Sequence, residues 1–314
     1  MTLFLSTLNQ MGFLLLLMVT GFVLVKLKAV PENCTQVLAK LENNVFIPSL
    51  VMGTFMTKFT LDSIADSGKF LLCGLVVVCI TIPIAILAAR GLSKDSYLRN
   101  IYTYGLAFSN FGFMGNAVVQ ALFPDVFANY LIFGLPFWAG IYVWGTPFLL
   151  IGGECKKRGL GDILKPFVNP MFIGMLIGIA LGLSGLPLPK FVGSAVETLG
   201  SCMSPVAMLL TGMTIARIDL KKAFTNLTVY ITSVIRLLVL PLLALGALLV
   251  IKLEYALALC VLSNLAMPLG LSPVVVPAGY GKDTSDAAGM ILISHLLSCI
   301  TIPLVFMLFS QLLT

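Results

Sequence analysis

The sequence predicts an all-α polytopic membrane protein, with ten transmembrane helices as a 5+5 inverted repeat and helices 4 and 9 broken and crossing near the midplane. Three observations predict it. Of 314 residues, 59% are hydrophobic and only 10% charged, against about 25% charged in soluble domains. Prolines and one Ser-Asn dipeptide recur across two halves of the chain at a nearly constant offset. The same apolar stretch in each half is interrupted by asparagine, glycine or proline.

A crossing needs roughly 20 mostly apolar residues. Apolar stretches bounded by charge or turn residues fall at 3–25, 36–57, 69–89, 99–122, 127–151, 168–184, 191–216, 224–250, 254–279 and 286–311. The N-terminal stretch lacks a basic leader and a small-residue cleavage site, so it reads as a retained first span. Numbering the loops alternately puts fourteen Lys and Arg residues on one side and four on the other, with Arg236 inside the eighth span. The positive-inside rule makes the richer side cytoplasmic and places both termini outside. The net charge of +6 is spread through these loops and forms no patch, so nucleic acid is not an expected partner. Seven cysteines show no metal or redox spacing, and most sit in apolar runs as small hydrophobes.

The longest connection, 152–170, divides the chain into a first five-helix repeat (1–152), a cytoplasmic linker (153–167) and a second repeat (168–314). Five is odd, so related halves must insert with opposite orientations, as in many secondary transporters. Pro31 pairs with Pro187, Pro48 with Pro205, Pro83 with Pro241 and Pro147 with Pro303, at offsets of 156–158 residues. At about 5% proline usage, a three-position window holds a chance match roughly one time in six, yet four of the six first-half prolines match. Ser109-Asn110 recurs as Ser263-Asn264, 154 residues later.

Those dipeptides open the two interruptions. "SNFGFMGN" (109–116) carries Asn110, Gly112, Gly115 and Asn116; "SNLAMPLGLSPVVVPAGYG" (263–281) carries Asn264, Pro268, Gly270 and Pro273. Proline removes a backbone donor and clashes with the preceding turn, and glycine weakens a helix interior by about 1 kcal/mol. In hydrocarbon, freed N–H and C=O groups cost several kcal/mol each unless protein or a water-filled cavity satisfies them. Two such breaks meeting at the midplane would offer half-helix N-termini to an anion. Tight helix packing through glycine is the competing use of the same residues.

With these stretches in hand, the chain resembles the auxin efflux carrier family of PIN-like and bacterial malate-permease-like transporters. The resemblance rests on "SNFGFMGN", "ILKPFVNPMFIGMLIGI", "GLPLPKFVGSAVETLGSCMSPVAMLLTGMTIA" and "NLAMPLGLSPVVV", and covers essentially the whole chain. It implies the 5+5 fold and an anion bound beside the crossing, malate-like or another carboxylate, with Asn110 and Pro268 matching the crossover pattern. It also implies a bacterial plasma (inner) membrane location and makes a homodimer a candidate assembly. The family often carries a proline after its "GFxG", whereas Ala117 here follows Asn116. Asn116 is thereby a candidate to offer its amide to the ligand.

Polar residues inside the spans complete the candidate site. Arg236, where a charge costs at least about 2.5 kcal/mol, is either a partner for a carboxylate substrate or a structural group paired with Glu197, Glu42 or helix-end carbonyls. Glu42 and Glu197 enter the second and seventh spans at similar depths from opposite faces and are coupling-ion candidates for H+ or Na+; partly solvated helix-end carboxylates are the alternative. Asn44, beside Asn43, is a candidate for the gap near the crossing or for interhelical bonding. His295, the single histidine, is a coupling candidate or a hydrogen-bonded packing residue.

The function expected is therefore a secondary carrier for a small organic anion, with the lipid bilayer as its solvent and no cofactor. A cation/proton antiporter is the nearest alternative, but it needs intramembrane aspartates and every Asp here lies in or near a loop. An intramembrane enzyme lacks the ligands or the nucleophile–base pair it would require. A non-transporting ligand sensor would need an output domain, which the short loops do not offer.

Overall fold

The computed structural model describes residues 2–59, 61–152, 168–186, 188–217 and 224–313. The predicted linker, 153–167, lies outside them. Among the described residues the chain is helical throughout, with a single isolated antiparallel bridge, Ser109 to Leu269, and no strand.

In chain order the helices are α1 (Thr2–Lys26), α2 (Cys34–Leu41), α3 (Ile47–Lys58), α4 (Leu61–Leu92), α5 (Ser96–Ala107), α6 (Asn116–Leu122), α7 (Phe127–Gly140), α8 (Pro170–Ser184), α9 (Lys190–Ser201), α10 (Met203–Ile215), α11 (Leu227–Val234), α12 (Leu240–Ile251), α13 (Tyr255–Leu265), α14 (Ser272–Ala278) and α15 (Ser285–Leu313). Wider π-helical turns occupy Glu42–Phe46, Phe111–Gly115, Ile141–Leu150 and Ile235–Val239. Among the described residues six stretches are long and apolar enough to cross a bilayer: Leu3–Lys26, Asp66–Leu92, Phe127–Leu150, Lys190–Ile215, Leu227–Ile251 and Ser285–Leu312. Shorter apolar helices lie at Phe111–Leu122, Pro170–Ser184 and Tyr255–Leu265. Large apolar side chains such as Leu16, Leu87, Leu176 and Val250 stand exposed on the outside, a surface suited to lipid and not to water.

Local chemistry explains most of the interruptions. A proline ring clashes with the carbonyl four residues earlier. For Pro48, Pro147 and Pro241 that residue is Asn44, Val143 or Leu237, each inside a π-helical turn; for Pro205 it is Ser201, where α9 gives way to α10. Widening the helix relieves the clash and frees carbonyls. The amides of Asn43 and Asn44 donate back to two nearby ones, Ala39 O at 2.8 Å and Lys40 O at 2.7 Å. Caps close other ends: Asp95, Asn169 and Asn226 side chains accept from backbone N–H groups in the first turns of α5, α8 and α11. Gly185, at φ 62°, ends α8.

The packing units are not the sequence halves. Helices α1, α2–α3, α8 and α9–α10 pack on one another as one body, while α4–α7 and α11–α15 form a second. The first body is held by glycine against backbone. A Cβ at Gly212 of α10 would fall 1.8 Å from Met18 O of α1, and one at Gly21 of α1 would fall 2.1 Å from Leu209 O of α10. Gly174 and Gly178 of α8 bring that helix onto the Pro48 and Met52 carbonyls of α3 in the same way, the small-residue packing expected between membrane helices. The two bodies meet mainly where α1 lies along α15.

Candidate functional site

Both interruptions open inside the second body and face each other. After α5, Phe108 turns extended (φ −120°, ψ 110°) and the chain resumes as the π-helical turn 111–115. After α13, the backbone is non-helical from 266 to 271 before α14 begins. Asn110 N donates to Pro268 O at 2.7 Å, beside the Ser109–Leu269 bridge. Ser109 Oγ donates to Asn264 O at 2.8 Å, and Leu269 N donates to Ser294 Oγ of α15 at 3.2 Å. The groups freed by breaking two helices thus satisfy one another, as an interior without water demands.

Arg236 completes this accounting. It is fully buried in the π-helical turn between α11 and α12. Nη1 donates to Leu106 O at 2.8 Å, Nη2 to Asn264 O at 3.1 Å and Nε to Met267 O at 3.1 Å. These oxygens lie at the C-terminal ends of α5 and α13, where the helix dipoles concentrate partial negative charge. Of the partners open to Arg236 from sequence, helix-end carbonyls are the ones it has, and among the described residues it forms no ion pair with a carboxylate. A full positive charge is left opposed only by partial charges.

Other polar groups have no partner. Asn264 is fully buried with neither Oδ1 nor Nδ2 hydrogen-bonded, and the adjacent Ser263 Oγ is likewise unpaired. Each costs about 1–3 kcal/mol relative to a satisfied group. At the crossing a cleft of about 40 Å³ is lined by Tyr104, Phe108, Asn110, Trp138, Gly270 and Ser272, room for a water or two.

The remaining predicted residues separate. A Cβ at Gly112 would fall 2.5 Å from the Trp138 ring, and one at Gly115 would fall 2.2 Å from Tyr130 Oη, so both glycines make room for aromatic side chains. At Gly270 a Cβ would meet Ser109 O at an ordinary 3.6 Å. Asn116 is buried at the start of α6. Asn44 is exposed on the first body, its amide on Lys40 O, away from the crossing. Glu42 is fully buried there with both oxygens unpaired, whereas Glu197 is exposed, so the two carboxylates do not share an environment. His295 joins the crossing directly: Nε2 lies 3.2 Å from Asn110 Nδ2, and Nδ1 lies 2.8 Å from Ile291 O.

Sequence reasoning missed the roles of Ser263 and Ser294 and of the aromatics Tyr130 and Trp138. For Ser263 a signal existed, since it repeats Ser109. For the aromatics there was none, because the contacts join α7 to a break more than a dozen residues away in the chain.

A family described as "Membrane transport protein" matches residues 6–160 and 159–306. The chain is also similar to an "Uncharacterized transporter" of Methanothermobacter thermautotrophicus, 25% identical over 291 residues, which span 92% of this chain and 94% of that protein.

Proposed function

Because this chain belongs to the membrane transport protein family, we propose that it is a secondary carrier for a small organic anion, bound at the crossing of two broken helices. The proposed architecture is ten transmembrane helices as two inverted five-helix repeats, whose fourth and ninth members cross in the second body. The observation that carries the reading is the unpaired Asn264 amide and Ser263 hydroxyl, fully buried in the same helix end that Arg236 caps. A carboxylate there would accept from the amide and the hydroxyl and would balance a guanidinium that meets only carbonyl dipoles.

Arg236 itself acts through the backbone, since its nitrogens are committed to the two helix ends. The small volume of the cleft means that a malate-sized anion enters only when the surroundings open. The seam between the two bodies is where that opening belongs, with alternating access arising as one body moves against the other. A cavity of about 190 Å³ already follows this seam, lined by Leu15, Met18, Phe22, Gly212, Leu292 and His295.

The test is uptake of labelled L-malate and a panel of mono- and dicarboxylates by protein reconstituted in liposomes. Asn264→Ala is expected to abolish saturable uptake while the purified protein stays folded. Wild-type uptake and affinity in that variant would overturn the site.

A further inference from the structure

His295 lies ten residues into α15, about 15 Å from its start, and both of its ring nitrogens are committed. The Ile291 carbonyl can only accept, so Nδ1 carries the proton. In a neutral ring Nε2 is then an acceptor, and the group facing it is the Asn110 amide nitrogen, which donates. This fixes the orientation of Asn110 in turn. Its Nδ2 is turned toward the histidine and its Oδ1 away from it, at a residue that lines the cleft of the crossing.

A proton added at Nε2 is incompatible with that arrangement, because two N–H donors would face each other at 3.2 Å. Turning the amide over restores the bond, now from Nε2–H to Oδ1. The same turn releases the amide N–H groups toward the site.

We propose that His295 and Asn110 form a proton-linked switch, in which one proton taken up on Nε2 turns the Asn110 amide from offering oxygen to offering N–H, so that proton and anion bind together. The inference rests on the carrier reading above and adds the coupling ion to it. No covalent bond other than Nε2–H forms. The ring becomes an imidazolium, and its charge is offset by the anion.

The charged surroundings favour this order. On the elements packed against α15, the titratable and charged groups are Lys26 at the end of α1, Tyr97, Arg99, Tyr102 and Tyr104 on α5, Tyr230 on α11, and Arg236. Helices α10, α12 and α14 carry none, and α15 itself adds Asp286 and Cys299. Arg236 is the member held at the crossing, where it caps Leu106 and Asn264. A second positive charge beside it is unfavourable until an anion arrives. The route for the proton follows from the other face of His295, which borders the apolar cavity in the seam between the bodies. The ring is 1% exposed, so exchange waits for that seam to open, and the proton is occluded together with the anion.

His295 is the single histidine in the chain, which makes the switch directly visible. In full-length protein labelled with [15N]histidine and held in lipid nanodiscs, the ligand-free imidazole is expected to show the neutral Nδ1–H form near pH 7. The Nε2–H form, or an imidazolium, would overturn the proposal before any ligand is added. L-malate and benzoate then serve as probes between pH 6 and 8. Affinity should fall about tenfold per pH unit while one proton accompanies each anion, and binding should convert the signal to imidazolium. His295→Gln, which keeps an acceptor for Asn110, should bind with no pH slope. A flat profile in the wild type, or the same slope in His295→Gln, overturns the switch alone. Absence of anion binding at every pH, in protein with the expected tautomer, overturns the carrier reading and the coupling with it.

Discussion

The two helix breaks look alike in sequence and differ in what surrounds them. The first is short, its glycines are filled by Trp138 and Tyr130, and Asn110 is bonded through both backbone and side chain. The second spans residues 266–271 and leaves Asn264 and Ser263 buried without partners. Like sequence does not impose like duty. The first break is packed and internally bonded, with Asn110 its polar side chain at the cleft, and the second keeps the unpaired groups.

The largest expected effect breaks both at once. Arg236→Met takes the guanidinium from the Leu106 and Met267 carbonyls and leaves Asn264 O with Ser109 Oγ alone; it should cost about 1–3 kcal/mol for each carbonyl left unpaired, read as a large fall in thermal midpoint or as loss of monodisperse protein. Next come substitutions that should tell the breaks apart. Gly115→Ala drives a methyl into Tyr130 Oη and should cost about 1–3 kcal/mol, with Tyr130→Phe in the same chain recovering part of the loss. Gly270→Ala should be tolerated; equal destabilisation at both glycines would erase the distinction. Asn264→Ala should abolish anion binding yet leave the thermal midpoint unchanged or raise it by the equivalent of about 1 kcal/mol, because it removes unsatisfied buried groups. Asn110→Ala should lose both binding and stability. The smallest effect is expected at Asn44→Ala, within about 0.5 kcal/mol and with uptake unaltered, since its amide serves only Lys40 O on the other body.

What could be read from sequence followed local chemistry. The apolar stretches, the breaks at Ser109-Asn110 and Ser263-Asn264, and the presence of a cation within the apolar stretch 224–250 all come from residue types and spacing. The pairing of the breaks followed from comparing the halves. What could not be read was which backbone a side chain meets. Arg236 bonds a carbonyl 130 residues away and another 28 residues away, and a carbonyl carries no sequence signature. His295 and Asn110 are 185 residues apart, and no motif links the two. Glu42 pairs with Glu197 by depth, and Asn44 is a candidate for the gap near the crossing through its place beside Glu42. Depth does not specify the face of a helix, and the fold puts Glu42 and Asn44 on the other body. The π-helical turns at Pro48, Pro147 and Pro241 were legible in principle, four residues ahead of each ring, but proline alone does not distinguish a widened helix from a kinked one. Pro83 and Pro303 sit inside continuous helices.

The reach of Arg236 also sets a schedule for biogenesis. Leu106 leaves the ribosome 130 residues before its capping guanidinium exists, a delay on the order of ten seconds at roughly 5–20 residues per second. Pro268, whose carbonyl accepts from Asn110, is made later still. The segment of α5 and α6 must therefore be made with its break unsealed, sheltered by the insertion machinery or by water, and the crossing closes only when residues 236–268 have arrived. A chain arrested before residue 236 would carry an open helix end in the bilayer, a mark by which quality control can recognise an unfinished molecule.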